Sequence, residues 1–302
     1  MKALKLTLIL LIATMSSAFA QQKVTSVLEI YDLETNTRTV VKEFPYTIEA
    51  PNWTVDGKWL IYNSKGTLHK ISPDGKLEED LNTGYATSCN NDHCLSFDGK
   101  HIAVSHGTAE DHKSRVYVLP IEGGIPQLIT PLAPSYLHGW SPDGKTLAYC
   151  AERNGNFDVY TVPTECGVEK RLTTAEGLDD GPEYTPDGKY IWFNSVRTGL
   201  MQLWRMKADG SEQEQMTFDE DRNSWFGHVS PNGELVAYIT YWKGDLEPGQ
   251  HLANKNVELR IMPANGGAAK TVVKLFGGQG TINVNSWAPD SRRFAYVSYE
   301  KR

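Results

Sequence analysis

Residues Trp140-Ser141-Pro142-Asp143-Gly144-Lys145, followed by the apolar run Thr146-Leu147-Ala148-Tyr149, decide how this chain folds. Five variants of the stretch are spread along it. They are Trp53-Thr54-Val55-Asp56-Gly57-Lys58, Leu95-Ser96-Phe97-Asp98-Gly99-Lys100, Tyr184-Thr185-Pro186-Asp187-Gly188-Lys189, Val229-Ser230-Pro231-Asn232-Gly233-Glu234 and Trp287-Ala288-Pro289-Asp290-Ser291-Arg292. The motif acids (Asn in one copy) recur every 42 to 45 residues, with a last step of 58. Such a period marks a propeller or solenoid, each repeat being a unit that cannot bury its apolar face alone. Pro and Asp-Gly set a tight turn between short strands rich in aromatic and β-branched residues. That local chemistry selects the propeller.

Within the third repeat, Tyr136 to Trp140 reads as the innermost strand, Thr146 to Ala151 as the second, Phe157 to Pro163 as the third and Glu169 to Thr173 as the outer one. Ser72-Pro73-Asp74-Gly75-Lys76 lies out of phase and serves as a turn between third and fourth strands. Two strands, Ser26 to Asp32 and Arg38 to Phe44, precede the first motif, and only Arg293 to Tyr299 follows the last. Joining the ends completes one blade and removes the open edges. The expectation is an all-β, six-bladed β-propeller, its last blade closed by N-terminal outer strands and C-terminal inner strands.

Lys2 and Lys5, the apolar stretch from Leu6 to Thr14 and Ala18-Phe19-Ala20 have the pattern of a cleaved secretory signal, so residues 1–20 are expected to be removed, leaving 21–302 as one propeller domain. No later segment is apolar enough to span a bilayer. A periplasmic or secreted monomer is expected. Loss of the two leader lysines moves the formal net charge from −7 to −9, a balance that disfavours nucleic acid. Export permits disulfides among Cys89, Cys94, Cys150 and Cys166, with Cys89 and Cys94 close enough to pair and Cys150 equally readable as a buried thiol.

The Ser-Pro-Asp-Gly-Lys motif with its preceding aromatic, together with Met201-Gln202-Leu203-Trp204-Arg205-Met206 before Ala208-Asp209-Gly210, resembles the TolB-type propeller repeat over essentially the whole mature chain. So do Trp225-Phe226-Gly227-His228 and the segment from Gly277 to Asn283. True TolB carries a further N-terminal α/β domain, for which this length leaves no room. The resemblance implies fold more than activity, because propellers host many functions.

The motif also provides a register. Four residues before each motif acid stand Asn52, Cys94, Gly139, Glu183, His228 and Ser286, and one residue earlier Pro51, His93, His138, Pro182, Gly227 and Asn285. Six of the eight histidines, His93, His106, His112, His138, His228 and His251, are read as loop residues on one face. His251 sits in an insertion from Tyr241 to Asn256 that accounts for the long last step. Two readings stand for these histidines: hydrogen bonds to neighbouring loops, or a pocket at the propeller mouth. In the second, His93, His138, His228, His251 and Gln279 are candidate ligands of a divalent metal, in the manner of the oligogalacturonate lyases that share this type of repeat. Glu183, Arg197, Trp225, Trp242, Lys255 and Asn283 are candidates for binding a ligand, with Tyr136 and Trp53 near the same loops. Trp53, Trp140 and Trp287 are expected to wedge between blades, and Asp179-Asp180 to form a solvated turn. The chain has no Gly-x-Ser-x-Gly elbow and no phosphate-cradling loop before a helix. A module that binds a protein or glycan is therefore expected, with a metal-assisted oligouronide lyase as the alternative.

Overall fold

The structure, a computed structural model, describes residues 24–301 and contains strands and turns without a helix. The expected leader, residues 1–20, lies outside the described residues. Five four-stranded antiparallel sheets and one three-stranded sheet form the six blades of a propeller. Blade three runs outward through Ser135–Trp140, Thr146–Arg153, Asn156–Pro163 and Lys170–Arg171, within two or three residues of the boundaries that the repeat predicts.

Each motif is a tight turn between the innermost and second strands. In blade three, Ser141 Oγ donates to Asp143 Oδ1 (2.7 Å), and the Lys145 amide donates to the same oxygen (3.1 Å). The Thr146 amide donates back to Ser141 Oγ (2.9 Å), so a hydroxyl and a carboxylate satisfy a turn that has no ladder partners. The geometry recurs on Thr54, Ser96, Thr185 and Ser230. Ala288 lacks the hydroxyl in the sixth copy, where Asp290 instead accepts from the amides of Arg292 and Arg293. Trp53, Trp140 and Trp287 are buried as expected. Two of them link blades: Trp140 Nε1 donates to the Cys94 carbonyl and Trp287 Nε1 to the His228 carbonyl, both at 3.0 Å.

The ring closes where the N-terminal strand Val24–Asp32 pairs antiparallel with Arg293–Lys301, with Thr37–Phe44 outside it. The innermost position of this blade is taken by an irregular segment. Backbone bonds from Val297 to Thr281 and from Ala295 to Ser286, both 3.0 Å, hold it in place. At the centre of the joint lies the buried carboxylate of Glu29. It accepts two bonds from Arg38 on its own hairpin (2.7 and 2.9 Å) and one each from Ser298 (2.7 Å) and Tyr296 (3.1 Å) on the C-terminal strand.

The innermost strands of the other five blades share an irregularity. Register slips between Glu49 and Asn52, Cys89 and His93, Leu137 and Gly139, Asp180 and Glu183, and Trp225 and His228. A bulge bends a strand and re-aims the side chains on either side of it. Ala50, Gly181 and Phe226, at equivalent positions, take positive φ of 54°, 62° and 54°.

Two substitutions measure these contacts. Glu29→Gln is expected to lower the unfolding free energy by about 2 kcal/mol, because several bonds to a buried charge are weakened together. Ser141→Ala, which unties one turn of six, is expected to cost about 1 kcal/mol. Urea unfolding followed by tryptophan fluorescence checks both, and equal midpoints for Glu29→Gln and the parent chain would contradict the closure described.

Candidate functional site at the propeller axis

The bulges divide the axis into two hollows. On the side of the motif turns lies one of about 320 Å³, walled by Trp53, Trp140, Trp287, Phe97, Pro186, Pro231 and Pro289, with Asn52, Glu183 and Asn285 as polar lining. On the opposite side, where the chain enters each innermost strand, lies a larger cavity of about 620 Å³. Its polar lining comes from successive blades: Glu49, Asn91 and Asp92, Tyr136 and His138, Asp180, then His251 and Gln279. Phe157, Phe226 and Leu178 supply apolar wall. His138 lines both hollows and marks the waist between them.

A belt of polar contacts rings the larger cavity. Gln279 Nε2 donates to Asn91 Oδ1 (3.2 Å), and Gln279 Oε1 accepts from His251 Nδ1. His251 Nε2 then stands 4.0 Å from Asp180 Oδ2, while His138 Nε2 is 3.1 Å from Asp180 Oδ1 in an ion pair poorly aligned for a hydrogen bond. The Gly181 amide donates to Asp180 Oδ1 (2.7 Å). Burial works against the Asp180 charge, but His138, His251 and that amide hold its carboxyl well below the usual range. Burial likewise opposes the charge on His138, and Asp180 outweighs it and raises the imidazole pKa. Asp92 and Glu49 are both pushed up, first by burial, then for Glu49 by Asp92 and for Asp92 by Asp180.

Of the five candidate metal ligands, His138, His251 and Gln279 meet in this cavity, whereas His228 and His93 do not. His228 spends both nitrogens inside the protein, Nδ1 on Glu183 Oε2 (2.7 Å) and Nε2 on the Ile282 carbonyl (2.8 Å), and so has no lone pair to offer a metal. Glu183 in turn accepts from the Val229 amide (3.0 Å) and Asn285 Nδ2 (2.7 Å), which makes it an inter-blade clasp. His93 is fully buried, lines neither hollow, and has its pKa pushed down to about 4 by that burial. Among the described residues no group of three or more His, Cys, Asp or Glu is placed to hold a metal ion.

The remaining candidates lie elsewhere. Arg197 is bound to Asp179 (2.8 Å), Gln213 (2.7 Å) and Ser195 (2.7 Å), with its guanidinium 4.7 Å from the centre of the Trp204 ring. Trp225 is wholly buried, its ring 4.4 Å from that of His251, so it supports the cavity wall from behind. Trp242 is exposed but outside both hollows, with the Arg222 guanidinium 4.3 Å from its ring centre. Lys255 Nζ donates to the Asp245 carbonyl (3.3 Å) within the insertion, and Asn283 is buried, accepting from the Gly280 amide (2.6 Å).

Several sequence expectations are corrected. His93, His106, His138 and His228 lie on strands; His112 and His251 are on loops. Asp179 and Asp180 are buried, not solvated, and Asp180 lines the axial cavity while Asp179 pairs with Arg197. All four cysteines are free; Cys89 and Cys94 sit in different core clusters on the two sides of one strand. The residues missed by sequence reasoning are Glu49, Asn91, Asp92 and Asp180. Their signal was present: Glu49, Asn91, Tyr136 and Asp180 all stand seven residues before a motif Asp, one turn of the bulge further back than the row first aligned.

The His138–Asp180 pair makes a pH-dependent contribution. Because the folded-state pKa of His138 is raised, the pair's stabilisation is fully present below the unfolded value of about 6.5 and is lost as pH rises through the folded value. On the acid side it is lost only below about pH 4, where Asp180 would be protonated in the unfolded chain. The stability gap between the parent and His138→Asn is therefore expected to be larger at pH 5.5 than at pH 8.5 in urea titrations, and a gap that grows with pH contradicts the assignment.

Comparison with known proteins gives a consistent picture. Residues 74–259 match the TolB beta propeller domain. An uncharacterized protein of Agrobacterium fabrum is 46% identical over 275 residues, covering 91% of this chain and 92% of its own. The solved structure of a protein of Agrobacterium tumefaciens described as a TolB superposes with a TM-score of 0.87 at 46% identity, covering 92% of this chain and 99% of that one. The Tol-Pal system protein TolB of Francisella tularensis is 26% identical over 215 residues, which is 68% of this chain and 48% of that protein, so the chain spans about half the length of that relative. With the motif register, the six blades and these matches in agreement, the chain belongs to the TolB-type β-propeller family.

Proposed function

We propose that this chain is an exported binding module, periplasmic or secreted, which receives a partner protein on the face that carries the larger axial cavity. The observation that supports this most directly is the cavity itself: about 620 Å³, lined from successive blades, and flanked by the insertion that carries His251. Concave sites with a few convergent polar groups are the usual places for ligands, and insertions at a propeller face are the usual binding loops. The Francisella relatives are by name parts of a protein assembly, the Tol-Pal system, which favours a protein over a small metabolite as partner. Export rests on the leader pattern in the sequence, and no helix among the described residues is long and apolar enough to cross a membrane.

A glycan or a metal-assisted lyase has less behind it. Trp225 is buried, and Trp242, though exposed, lies outside both hollows with Arg222 against its ring, so neither offers a sugar a stacking face at the axis. Arg197, suited in type to a uronate carboxylate, is committed to Asp179.

Site-specific photo-crosslinking in cells tests the reading. A benzophenone side chain at Leu252, exposed beside His251 on the cavity rim, is expected to capture a discrete partner protein. The same group at Val168, exposed at the outer edge of blade three, is expected to capture none. Identical patterns from the two positions, or no product from Leu252, would count against a partner on this face.

A further inference from the structure

The two halves of the larger cavity differ in how their carboxylates are matched. Asp180 already faces two imidazoles and a backbone amide. Across the cavity, Asp92 is 6% exposed and its carboxylate accepts one bond, from Asn90 Nδ2 to Oδ2 (2.6 Å), while Oδ1 has no partner among the described residues. Glu49, half-buried on the next blade, faces the Asn91 amide and the Asp92 carboxylate. On the other side of Asp92 stands Tyr136, whose hydroxyl likewise has no partner among the described residues, with its ring 6.4 Å from that of Phe157. No lysine or arginine lines the cavity. His138 and His251 act on Asp92 as well as on Asp180, so three carboxylates share two imidazoles, and proton uptake or a bound cation relieves the excess. The upward shifts at Asp92 and Glu49 are the first response.

Resting on the reading of this face as the binding one, we propose that the cavity takes a primary ammonium group between Glu49, Asp92 and Tyr136, with its alkyl stem along the Tyr136 and Phe157 rings. An ammonium has three donors and no acceptor, and three adjacent blades present three acceptors to it. The aromatic wall adds a cation–π attraction and apolar contact for the stem, which a hydrated metal ion would not use. His138 also faces Asp92, but the carboxylates of Glu49, Asp92 and Asp180 outnumber the two imidazoles of the cavity and leave room for the ligand's charge. The ammonium comes from a lysine side chain of a partner or from a free alkyl amine.

Calorimetric titration of the full purified chain with n-pentylamine tests this, with pentan-1-ol as the uncharged analogue. Pentylamine is expected to bind and the alcohol to bind at least tenfold more weakly. Asp92→Asn is expected to weaken the amine by about tenfold, equivalent to ~1.4 kcal/mol. Tyr136→Phe, which removes a hydroxyl with no protein partner, is expected to weaken it severalfold with an unchanged Tm, and carries the comparison if Asp92→Asn does not fold. Equal binding of the alcohol, no amine binding, an amine affinity indifferent to both substitutions, or displacement of the amine by calcium chloride with the same Asp92 dependence would overturn the site. Either source supports it, and the tighter of N-acetyl-lysine methylamide and 1,5-diaminopentane says which applies. Amine binding without crosslinking from Leu252 removes the partner and leaves the site, whereas crosslinking without amine binding does the reverse.

Discussion

Everything at the axis depends on the ring being closed. No single blade owns the larger cavity, because its lining is drawn in turn from each of them. An open ring would let blades splay and expose the edges of Val24–Asp32 and Arg293–Lys301. The joint is therefore a ladder nine pairs long with a buried carboxylate at its centre, bonded to both the strands that it connects. Glu29 costs solvation to bury, and four hydrogen bonds offset that cost. Ring closure also ties the two ends of the chain into one cooperative sheet.

The second constraint is the bulge in each innermost strand. A regular strand would alternate its side chains between two neighbouring blades and present little to the axis. One extra residue per strand, two in the second blade, breaks that alternation at a similar height in five blades, which sets Glu49, Tyr136 and Asp180 above the break, Asn91 within it, and Asn52, Cys94, Gly139 and Glu183 below it. The upper set makes a polar, acidic cavity. The lower set lines the smaller hollow, where Glu183 also joins blades through His228 and Asn285. A polar group near an axis can thus line a hollow, join blades or do both, and burial alone does not tell these roles apart.

The motif register made much of this legible. Six turns, the strand order within a blade and the shared closing blade all follow from spacing and turn chemistry, since each rests on contacts within about forty residues or on the two ends of the chain. The same register groups residues by height around the ring, which is how His138 enters among the candidates. It failed on the choice of row. An offset of four residues is natural for a regular strand counted back from its turn; the bulge adds a residue and hands the cavity to the row at seven. His228 illustrates the cost, because its position in the register is the same whether it meets a void or the Ile282 carbonyl.

What the sequence by itself determined is the architecture: an all-β ring of six blades, punctuated by Asp-Gly turns and closed by its two ends. These are consequences of local turn geometry and of a repeat that must bury its faces against copies of itself. What only the tertiary structure decided is which side chains share the axis. Asp92 and Glu49 are 43 residues apart, and Gln279 reaches Asn91 from the far end of the chain. Their meeting depends on ring closure and on the bulges, and neither the distance between them nor the excess of carboxylates over imidazoles around them is written in any local pattern.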